Sequence, residues 1–272
     1  VLTNFVNVKT SGTVETRLLP KNVAHIGGVA GELEVYDKEK AYIAYVRNCR
    51  AAVETIVGKF DGTEDSVLEV ASNGGIVGTV SCTKGAVAIV NCVSDGKVYG
   101  GQFVGGIVGY NSGSNVSIVN CVNYASVRAT AKDVSYAGGI VGSARNDMIV
   151  LDSYSAGSIA GVKASSSFYK SYAGGIFGYS YADDYDMGYT AGVAAENAFH
   201  SGVVRSASYD NLNSAGTKID KAEVDKDWFV NNLGFNADEW NFADGKISPA
   251  DYDKKSGSYK LSLYANDTLV KE

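Results

Sequence analysis

A doubled glycine that leads into apolar residues and a further glycine recurs along most of this chain. The copies begin at residues 27, 74, 105, 138 and 174, so that successive copies lie 47, 31, 33 and 36 residues apart. A repeat of this length is typical of solenoids, propellers and other arrays. The repeat therefore constrains the fold more strongly than any other feature of the sequence.

Each doubled glycine is followed further along by a polar residue and a small one. These pairs are Asn48-Cys49, Asn91-Cys92, Asn120-Cys121, Asp152-Ser153 and Asn197-Ala198. Asn tolerates the left-handed backbone region, and stacked amides can hydrogen-bond to one another along an axis. The polar position therefore predicts a turn that recurs in every repeat.

The apolar runs between these signals are short and rich in β-branched residues. In the copy from Gly105 to Val127 they are Ile107-Val108, Val116 to Val119, and Val127. Such runs are typical of strands, and no repeat shows the 3.6-residue period of a helix. A propeller blade needs four strands and usually about 40 residues. Three strands in a repeat of this length favour one coil of a parallel β-helix, and hence an all-β fold.

In a β-helix, equivalent residues of successive coils stack about 4.8 Å apart. We expect Ile76, Ile107, Ile140 and Ile176 to form one aliphatic stack, extended by Val29. At about 25 cal/mol per Å² of apolar area, such stacks supply most of the stabilisation. The first glycines of the repeats, Gly74, Gly105, Gly138 and Gly174, should form a column where the backbone turns tightly or takes a positive φ.

The repeat resembles the GLUG motif of bacterial surface proteins, which include gut-bacterial adhesin-like proteins and the repeat regions of some immunoglobulin-A proteases. The resemblance rests on the GG-[IV]-[VAF]-G pattern, the later Asn-Cys or Asp-Ser pair, and the turn to Val or Ile that follows, and it covers roughly residues 1 to 210. It implies a right-handed parallel β-helix in a protein that is secreted or anchored at the bacterial cell surface.

The repeats divide the chain into two parts. Residues 1–213 are predicted to form the β-helix, with a partial repeat at 1–26, and residues 214–272 to form a small C-terminal cap. Within the cap, Lys221 to Asn232 predicts one short helix with Asp220 as its N-cap and Gly234 as its stop. A similar segment commonly closes GLUG arrays, so we expect the cap to hide the last coil.

Two further expectations concern the cap and the start of the chain. Trp228 and Trp240 should belong to the core of the cap, and Ser258 to Tyr264 alternates as a strand does. Because the sequence begins in mid-coil, its first coil would leave strand edges and apolar surface open. Upstream residues, a second molecule or the first few residues would have to cover that end, and self-association through the N-terminal coil is one such arrangement.

Composition excludes several classes of partner. The net charge is −6, and we find no basic stripe, so nucleic acid is not expected as a partner. No run of about 18 consecutive apolar residues is present, so no transmembrane segment is expected. The chain opens on Val1-Leu2-Thr3 with no signal peptide, so a secreted protein would be represented here in mature or trimmed form.

Three of the four cysteines occupy one repeat position. Cys49, Cys92 and Cys121 are replaced there by Ser153 and Ala198, so the position accepts small side chains and predicts buried free thiols that act as small hydrophobes. A disulfide that involves Cys82 is the alternative. No Cys-x-x-Cys motif and no nearby histidine favour a metal, so neither a metal nor another cofactor is expected.

The candidate binding site lies in the fifth repeat, where tyrosines alternate with aspartates. The proposed ligand-binding residues are Tyr179, Tyr181, Asp183, Asp184, Tyr185 and Asp186. Tyrosine rings can stack on sugar rings, and neighbouring carboxylates can accept hydrogen bonds from sugar hydroxyls. An exposed excursion without a ligand is the plain alternative. A calcium site is a further one, although the spacing lacks the terminal glutamate of an EF-hand.

Catalysis is not expected. The only histidines, His25 and His200, lack the zinc-protease pattern, and no Gly-x-Ser-x-Gly elbow is present. A carbohydrate-active β-helix enzyme would need paired carboxylates on neighbouring coils, and the alignment of repeats provides no such pair. The preferred function is therefore a non-catalytic adhesin-like protein that binds host glycan or protein. The alternative is a structural stalk or filament subunit that assembles through the solenoid ends.

Overall fold

A computed structural model provides the structure of the chain. It describes residues 4–18, 23–36, 42–59, 70–131, 134–144, 148–162, 171–180, 192–193, 197–201, 203–205, 216–243, 246–250, 263–265 and 268–271.

The chain winds through five successive coils, each of which contributes strands at the same four positions. The first coil contains β1 (Asn4–Val6), β2 (Lys9–Leu18), β3 (Val23–Gly27) and β4 (Ala30–Val35). The second contains β5 (Tyr42–Arg47), β6 (Arg50–Lys59), β7 (Val70–Gly74) and β8 (Val77–Cys82). The third contains β9 (Gly85–Val90), β10 (Val93–Tyr99), β11 (Phe103–Gly105) and β12 (Val108–Asn111).

In the fourth and fifth coils the second position is divided between two short strands. The fourth coil contains β13 (Val116–Val119), β14 (Val122–Asn123), β15 (Ser126–Ala129), β16 (Ser135–Gly138) and β17 (Val141–Ala144). The fifth contains β18 (Met148–Leu151), β19 (Tyr154–Ser155), β20 (Ile159–Gly161), β21 (Ser171–Gly174) and β22 (Phe177–Ser180).

Equivalent strands of successive coils pair in parallel and form four sheets, which makes the fold a parallel β-helix, as the sequence predicts. Sheet A follows the order β1-β5-β9-β13-β18, and sheet B contains β2, β6, β10 and the divided strands of the last two coils. Sheet C follows β3-β7-β11-β16-β21, and sheet D follows β4-β8-β12-β17-β22. The predicted count of three strands per coil is wrong, because the doubled glycine separates two strands.

The isoleucine after each doubled glycine lies at the corner between sheets C and D. The N–H of Ile76 donates to the carbonyl of Ile107, that of Ile107 to Ile140, and that of Ile140 to Ile176, at 2.9 to 3.1 Å. The N–H of Val29 donates to Ile76 in the same way. All four isoleucine side chains are fully buried in the main core. The predicted aliphatic stack is confirmed.

The first glycines of the repeats form the predicted column, and neighbouring backbone approaches them closely. The alternative prediction, that they take a positive φ, is wrong. The positive-φ glycines in the described residues do not include Gly74, Gly105, Gly138 or Gly174. A Cβ added at Gly105 would instead lie 1.9 Å from the carbonyl oxygen of Val108 and 2.6 Å from the amide nitrogen of Gly142. Glycine is required here because backbone from the same coil and the next one fills the space of a side chain.

The predicted left-handed turn is present between sheets A and B. Five equivalent residues take positive φ values between 44° and 58°: Asn7, Asn48, Asn91, Asn120 and Asp152. The amides do not form a ladder, since the side-chain oxygens of Asn48 and Asn91 find no partner within the described part of the chain. The turn thus depends on the backbone tolerance of Asn and Asp and not on stacked side-chain hydrogen bonds.

The parallel order ends after the fifth coil. Four further strands follow: β23 (Gly192–Val193), β24 (Asn197–His200), β25 (Val203–Arg205) and β26 (Thr217–Asp220). Strand β24 pairs antiparallel with β19 and with β26, β25 pairs antiparallel with β18, and β23 pairs antiparallel with β20.

The assignment of Asn197-Ala198 to the repeating turn is therefore wrong. Asn197 lies opposite Asp220 and Ala198 lies opposite Ile219 in an antiparallel pair. The small-residue position continues instead at Ser201, whose hydroxyl accepts the N–H of Ser153 at 3.0 Å. The sequence alignment failed here because it assumed that every repeat keeps the same chain direction.

The C-terminal segment contains a short 3₁₀ turn (Lys221–Glu223), helix α1 (Lys226–Leu233), and the hairpin of β27 (Trp240–Ala243) and β28 (Lys246–Pro249). The predicted stop at Gly234 is confirmed by its left-handed φ of 62°. The predicted start is wrong, because Asp220 caps only the 3₁₀ turn and Asp225 accepts the N–H of Trp228 to begin α1.

This segment packs along the flank of the solenoid. Phe229, Leu233, Phe235, Trp240 and Ile247 are buried against a sheet B column that runs through Val93, Val122 and Tyr154. That column spans three coils, so the cap is fastened to their side, and antiparallel strands β24 and β25 border the last coil. Trp240 belongs to the cap core as predicted, and Trp228 is partly buried against Tyr154.

The last described residues form a hairpin of β29 (Leu263–Ala265) and β30 (Thr268–Lys271). The predicted strand from Ser258 to Tyr264 coincides with β29 only at its end, and residues 258–262 lie outside the described residues.

Candidate binding surface

Only one of the six predicted ligand-binding residues falls within the described part of the chain. Tyr179 lies in β22, whereas Tyr181, Asp183, Asp184, Tyr185 and Asp186 lie outside the described residues. The geometry of the predicted site can therefore be followed from Tyr179 toward the regular coils.

Tyr179 belongs to a cluster of five aromatic side chains on the outer surface where sheets C and D meet. We call this cluster the aromatic ribbon; its members are Phe103, Tyr110, Tyr136, Tyr172 and Tyr179.

Strand register places these rings in two neighbouring columns. Phe103, Tyr136 and Tyr172 are register partners in sheet C, two residues before each doubled glycine. Tyr110 and Tyr179 occupy one column of sheet D, with Ser143 between them. Because the alternate sheet C residues point into the core, the aromatic residues point outward.

The doubled-glycine corner brings the two columns into ring contact. Phe103 stacks on Tyr110 with centroids 4.7 Å apart and ring planes within 17°. Tyr172 stacks on Tyr179 at 5.3 Å and 10°. Each such pair contributes about 0.5–1.5 kcal/mol beyond its buried area. The absence of a side chain on the glycines lets two strands of one coil fold back closely enough for this pairing.

Ser143 replaces the expected ring in the middle coil and changes the packing around it. Tyr136 instead contacts Tyr179 of the next coil, with centroids 4.3 Å apart. Ser143 is fully buried, and its hydroxyl has no hydrogen-bond partner among the described residues. The ribbon is thus continuous in sheet C and interrupted once in sheet D.

The rings differ in their access to solvent. Phe103, Tyr136 and Tyr172 are at most 6% exposed, whereas Tyr110 and Tyr179 are partly exposed. The sheet C rings therefore form the buried part of the ribbon, and the two sheet D tyrosines are the members that reach solvent. Exposed parts of aromatic rings are surfaces on which a sugar ring or an apolar side chain can pack.

Polar residues continue the same two columns toward the N-terminal end. Ser72 and His25 follow Phe103 in sheet C, and Thr79 and Glu32 follow Tyr110 in sheet D. The Nδ1 atom of His25 lies 2.8 Å from the Thr79 hydroxyl oxygen. The surface therefore changes from aromatic to hydrogen-bonding within two coils.

The sequence analysis missed four of the five members of the ribbon. A signal was available, since Phe103, Tyr136 and Tyr172 all stand two positions before a doubled glycine, and Tyr110 and Tyr179 stand five positions after its first residue. The rings of these residues pair because the doubled glycine separates two strands of one coil and lets the rings meet across the corner.

The thiols of Cys49, Cys92 and Cys121 lie at one repeat position and form a column, the thiol column, that has a structural role. Cys49, Cys82, Cys92 and Cys121 are all buried and free, so the predicted free thiols are confirmed and the alternative disulfide at Cys82 is not formed. The Cys92 thiol donates to the carbonyl oxygens of Val46 and Val90 at 3.4 and 3.3 Å. Burial raises the pKa of the Cys92 thiol well above its usual value, so it stays protonated and unreactive.

Charged side chains attach the cap to the flank of sheet B. The side-chain amide of Asn91 donates to the Glu239 carboxylate at 2.7 Å, and Arg47 lies 3.9 Å from the same carboxylate. The Lys246 ammonium donates to the Asp95 carboxylate at 2.9 Å. These contacts hold the cap on the side of the solenoid.

A tyrosine completes this attachment. The N–H of Ile247 donates to the Tyr124 hydroxyl at 3.0 Å. Burial raises the pKa of Tyr124 to about 12, so the phenol remains neutral at physiological pH and can accept this bond. Tyr124 therefore supports the cap through this hydrogen bond.

Neither a metal centre nor a membrane-spanning helix is found within the described residues. No group of three or more His, Cys, Asp or Glu side chains is arranged there to hold a metal ion. No described helix is both long enough and apolar enough to cross a lipid bilayer.

Comparison with known proteins adds no relative. No protein-family model matches the chain. No curated protein matches it, and no solved structure matches it. The aromatic ribbon, the thiol column and the flanking cap are therefore interpreted from their own geometry.

Proposed function

We propose that this chain is a non-catalytic, adhesin-like protein of the bacterial cell surface that binds a host glycan through the aromatic ribbon and the adjoining segment 181–191. A host surface protein is the other ligand class that such a surface fits. The proposal rests on one observation above all: the partly exposed Tyr179 stacks on the buried ring of Tyr172 and stands, in the sequence, directly before the Tyr- and Asp-rich segment.

The chemistry of the surface supports a glycan. Sugar rings carry apolar C–H faces that pack on aromatic rings, and hydroxyls that need hydrogen-bond partners. Tyr110 and Tyr179 offer the rings, and the aspartates that follow Tyr179 in the sequence, within 183–186, would offer acceptors. The rings are held by stacking on buried neighbours, so little side-chain entropy would be lost on binding.

The placement of the surface supports a scaffold function. The ribbon lies on the side of a solenoid, where each further coil adds the same two outward positions. The resemblance to GLUG-repeat proteins implies export to the cell surface, where a binding surface of this kind would meet host glycans. No observation on the described residues favours a catalytic function as strongly as the aromatic ribbon favours binding.

A glycan array tests the proposal directly. The wild-type chain is expected to bind a defined set of glycans, and Tyr179→Ala is expected to reduce binding about tenfold or more, because truncation of an aromatic anchor at an interface costs about 2 kcal/mol or more. Tyr110→Ala should weaken binding as well. Tyr36→Ala is the matched control, since Tyr36 is 59% exposed and lies outside the ribbon.

Substitution of Tyr181 and Tyr185 with alanine tests the contribution of the adjoining segment. Loss of binding in these variants, with an unchanged thermal unfolding curve, would extend the site beyond Tyr179. Failure of the wild-type chain to bind any glycan or host surface protein, or equal binding by the Tyr179 and Tyr36 variants, would contradict the proposal.

A further inference from the structure

Two cations lie beside one aromatic ring on the outer face of sheet B. The ammonium of Lys97 lies 5.3 Å from the centroid of the Tyr99 ring, and the guanidinium carbon of Arg128 lies 5.7 Å from the same centroid. Both cations are exposed, and Tyr99 is partly buried. Neither cation forms an ion pair with a residue that the structure describes. Two positive charges are therefore held close together without a counter-charge.

Strand register places these three side chains together. Successive residues of a strand point to opposite faces, so Lys97 and Tyr99 of β10 point outward while Val98 between them is buried. Arg128 of β15 is the register partner of Tyr99 in the next coil, and neighbouring strands lie about 4.8 Å apart. The two cations are thus carried by strands inside the sheet, which fix the positions of their backbones.

A pair of hydroxyls lies on the same face. Ser126 is the register partner of Lys97, and its hydroxyl oxygen lies 2.7 Å from that of Ser158 in the following coil. One hydroxyl donates its proton to the other, so the second proton and the remaining lone pairs can bond a ligand. We call the five residues Lys97, Tyr99, Ser126, Arg128 and Ser158 the cationic face.

Negative charge borders the cationic face on the side of the earlier coils. Glu54 is the exposed register partner of Lys97 in the preceding coil, and Asp95 stands two residues before Lys97 on the same face of β10. The Asp95 carboxylate accepts from the Lys246 ammonium at 2.9 Å and lies 4.0 Å from the guanidinium of Arg50. Asp95 is therefore already neutralised, and Glu54 is the one neighbouring acid in register that opposes an anionic ligand.

The side of the later coils suits an anion. The register partner of Arg128 in the fifth coil is Ala160, and Ser158 lies beside Ser126, so the neighbouring side chains there are short and uncharged. The two cations repel each other, and the negative face of one ring offsets only part of that repulsion. A guanidinium also presents a planar fork of N–H donors that matches the paired oxygens of an anionic group.

We propose that the cationic face binds the anionic group of an acidic glycan, either a carboxylate or a sulfate. Arg128 holds the anionic oxygens, Lys97 supplies the second charge, and the hydroxyl pair of Ser126 and Ser158 bonds hydroxyls of the sugar. The site lies on sheet B and shares no residue with the aromatic ribbon, so it does not depend on the function proposed above.

The sheet geometry favours a glycan over an acidic peptide. A peptide commonly binds a sheet by adding a strand at an open edge. Strand β10 pairs with β6 on one side and with β14 and β15 on the other, and β15 pairs with β10 and β20. These strands offer no open edge, so a ligand must bind through side chains alone, as a sugar with several hydroxyls and one acidic group can.

Isothermal titration calorimetry of residues 1–272 with three matched sugars tests the proposal. Lactose, sialyllactose and sulfated lactose share a neutral disaccharide, to which the second adds a carboxylate and the third a sulfate. At least one acidic sugar is expected to bind about tenfold more tightly than lactose, and this advantage should fall as the salt concentration rises. The two acidic sugars show which anion is preferred. Because the aromatic ribbon would bind the shared neutral part, the advantage of the acidic sugars reports on the cationic face alone.

Charge variants locate the site. Arg128→Gln and Lys97→Gln should each reduce the advantage of the acidic sugars about twofold to fivefold, and the double variant should abolish it. Glu54→Gln removes the opposing charge and should strengthen binding about twofold. Lys218→Gln is the matched control, since it makes the same charge change at an exposed position of β26 and should leave binding unchanged.

The substituted side chains are exposed, so circular dichroism and thermal unfolding should show folded chains of unchanged stability. Acidic sugars that bind no more tightly than lactose would overturn the proposal. So would a double variant that keeps the full advantage, or a polyglutamate peptide that binds more tightly than either acidic sugar.

Discussion

The sheets of the solenoid end differently at its two ends. At the N-terminal end, β1 to β4 keep the parallel direction of the coils and leave an inward-facing residue, Val14, exposed. At the other end, β24 and β25 reverse direction and pair antiparallel with the last coil. A reversed strand cannot continue a coil in register, so it ends the array, whereas a parallel edge remains able to accept another strand.

The cap strengthens this contrast. Its aromatic residues lie along the flank of three coils and hold the C-terminal half of the solenoid from the side. The described residues provide no equivalent element beside β2. We therefore expect substitutions in the central coils and under the cap to lower the free energy of unfolding strongly. Substitutions at the N-terminal edge should lower it only weakly.

The largest effect is expected from a pair of glycine substitutions. Gly105→Ala forces a Cβ into the backbone of two coils and should lower the free energy of unfolding by more than about 4 kcal/mol, enough to prevent folding. Gly12→Ala meets no neighbour and suffers only from its φ of 109°, a loss of about 1–2 kcal/mol. Urea denaturation measures both, and equal losses would refute the contrast between centre and edge.

Removal of an apolar side chain compares the cap with the open edge. Phe229→Ala empties a fully packed position beneath α1 and should lower the free energy of unfolding by about 3–5 kcal/mol. Val14→Ala removes a side chain that is already 42% exposed and should lower the free energy of unfolding by less than about 1 kcal/mol. Thermal unfolding of both variants provides the measurement.

The polar attachment of the cap should contribute less than its apolar core. Glu239→Ala removes the acceptor of the Asn91 amide and the carboxylate beside Arg47, and should lower the free energy of unfolding by about 1–3 kcal/mol. Lys246→Ala is the matched control, because its partly exposed ion pair with Asp95 should contribute at most about 1 kcal/mol. A larger loss at Lys246 than at Glu239 would reverse our ranking of these contacts.

The smallest effect concerns the left-handed turn and depends on pH. Burial raises the pKa of Asp152 above its ordinary value, so the ionised carboxylate is disfavoured in the folded state. The folded chain therefore binds the Asp152 proton more tightly than the unfolded chain does. Its stability is highest below the unfolded pKa, and this contribution is lost as pH rises through the folded pKa. Asp152→Asn should therefore stabilise the chain at neutral pH, by no more than about 0.5 kcal/mol, and this gain should disappear in acid.

Asn120→Asp is the reverse substitution in the neighbouring coil, at a φ of 49°. It should destabilise the chain at neutral pH and do so less at low pH. Unfolding curves recorded at both pH values would contradict the explanation if the two substitutions shifted stability in the same direction.

Local signals in the sequence were sufficient for the elements that repeat. The isoleucine stack, the Asn and Asp turn and the buried thiols were all predictable, because in-register stacking places like residues in like environments. The count of strands was not, since a Gly-Gly-Ile corner and a short continuous strand have similar apolar patterns. Of the six predicted ligand-binding residues, only Tyr179 lies in the described part of the chain. Its stacking on Tyr172 was not predictable, because ring contacts between two strands of one coil depend on how sharply the glycine corner folds.

The sequence by itself determined that this chain is a parallel β-helix with a C-terminal helix that ends at Gly234. Periodicity carries that information, because each repeat must satisfy the same backbone geometry and bury the same face. Only the tertiary structure decided where the parallel order stops, which flank the cap covers, and which rings meet across the glycine corner. These features depend on chain direction and on contacts between residues far apart in sequence, which no local pattern specifies.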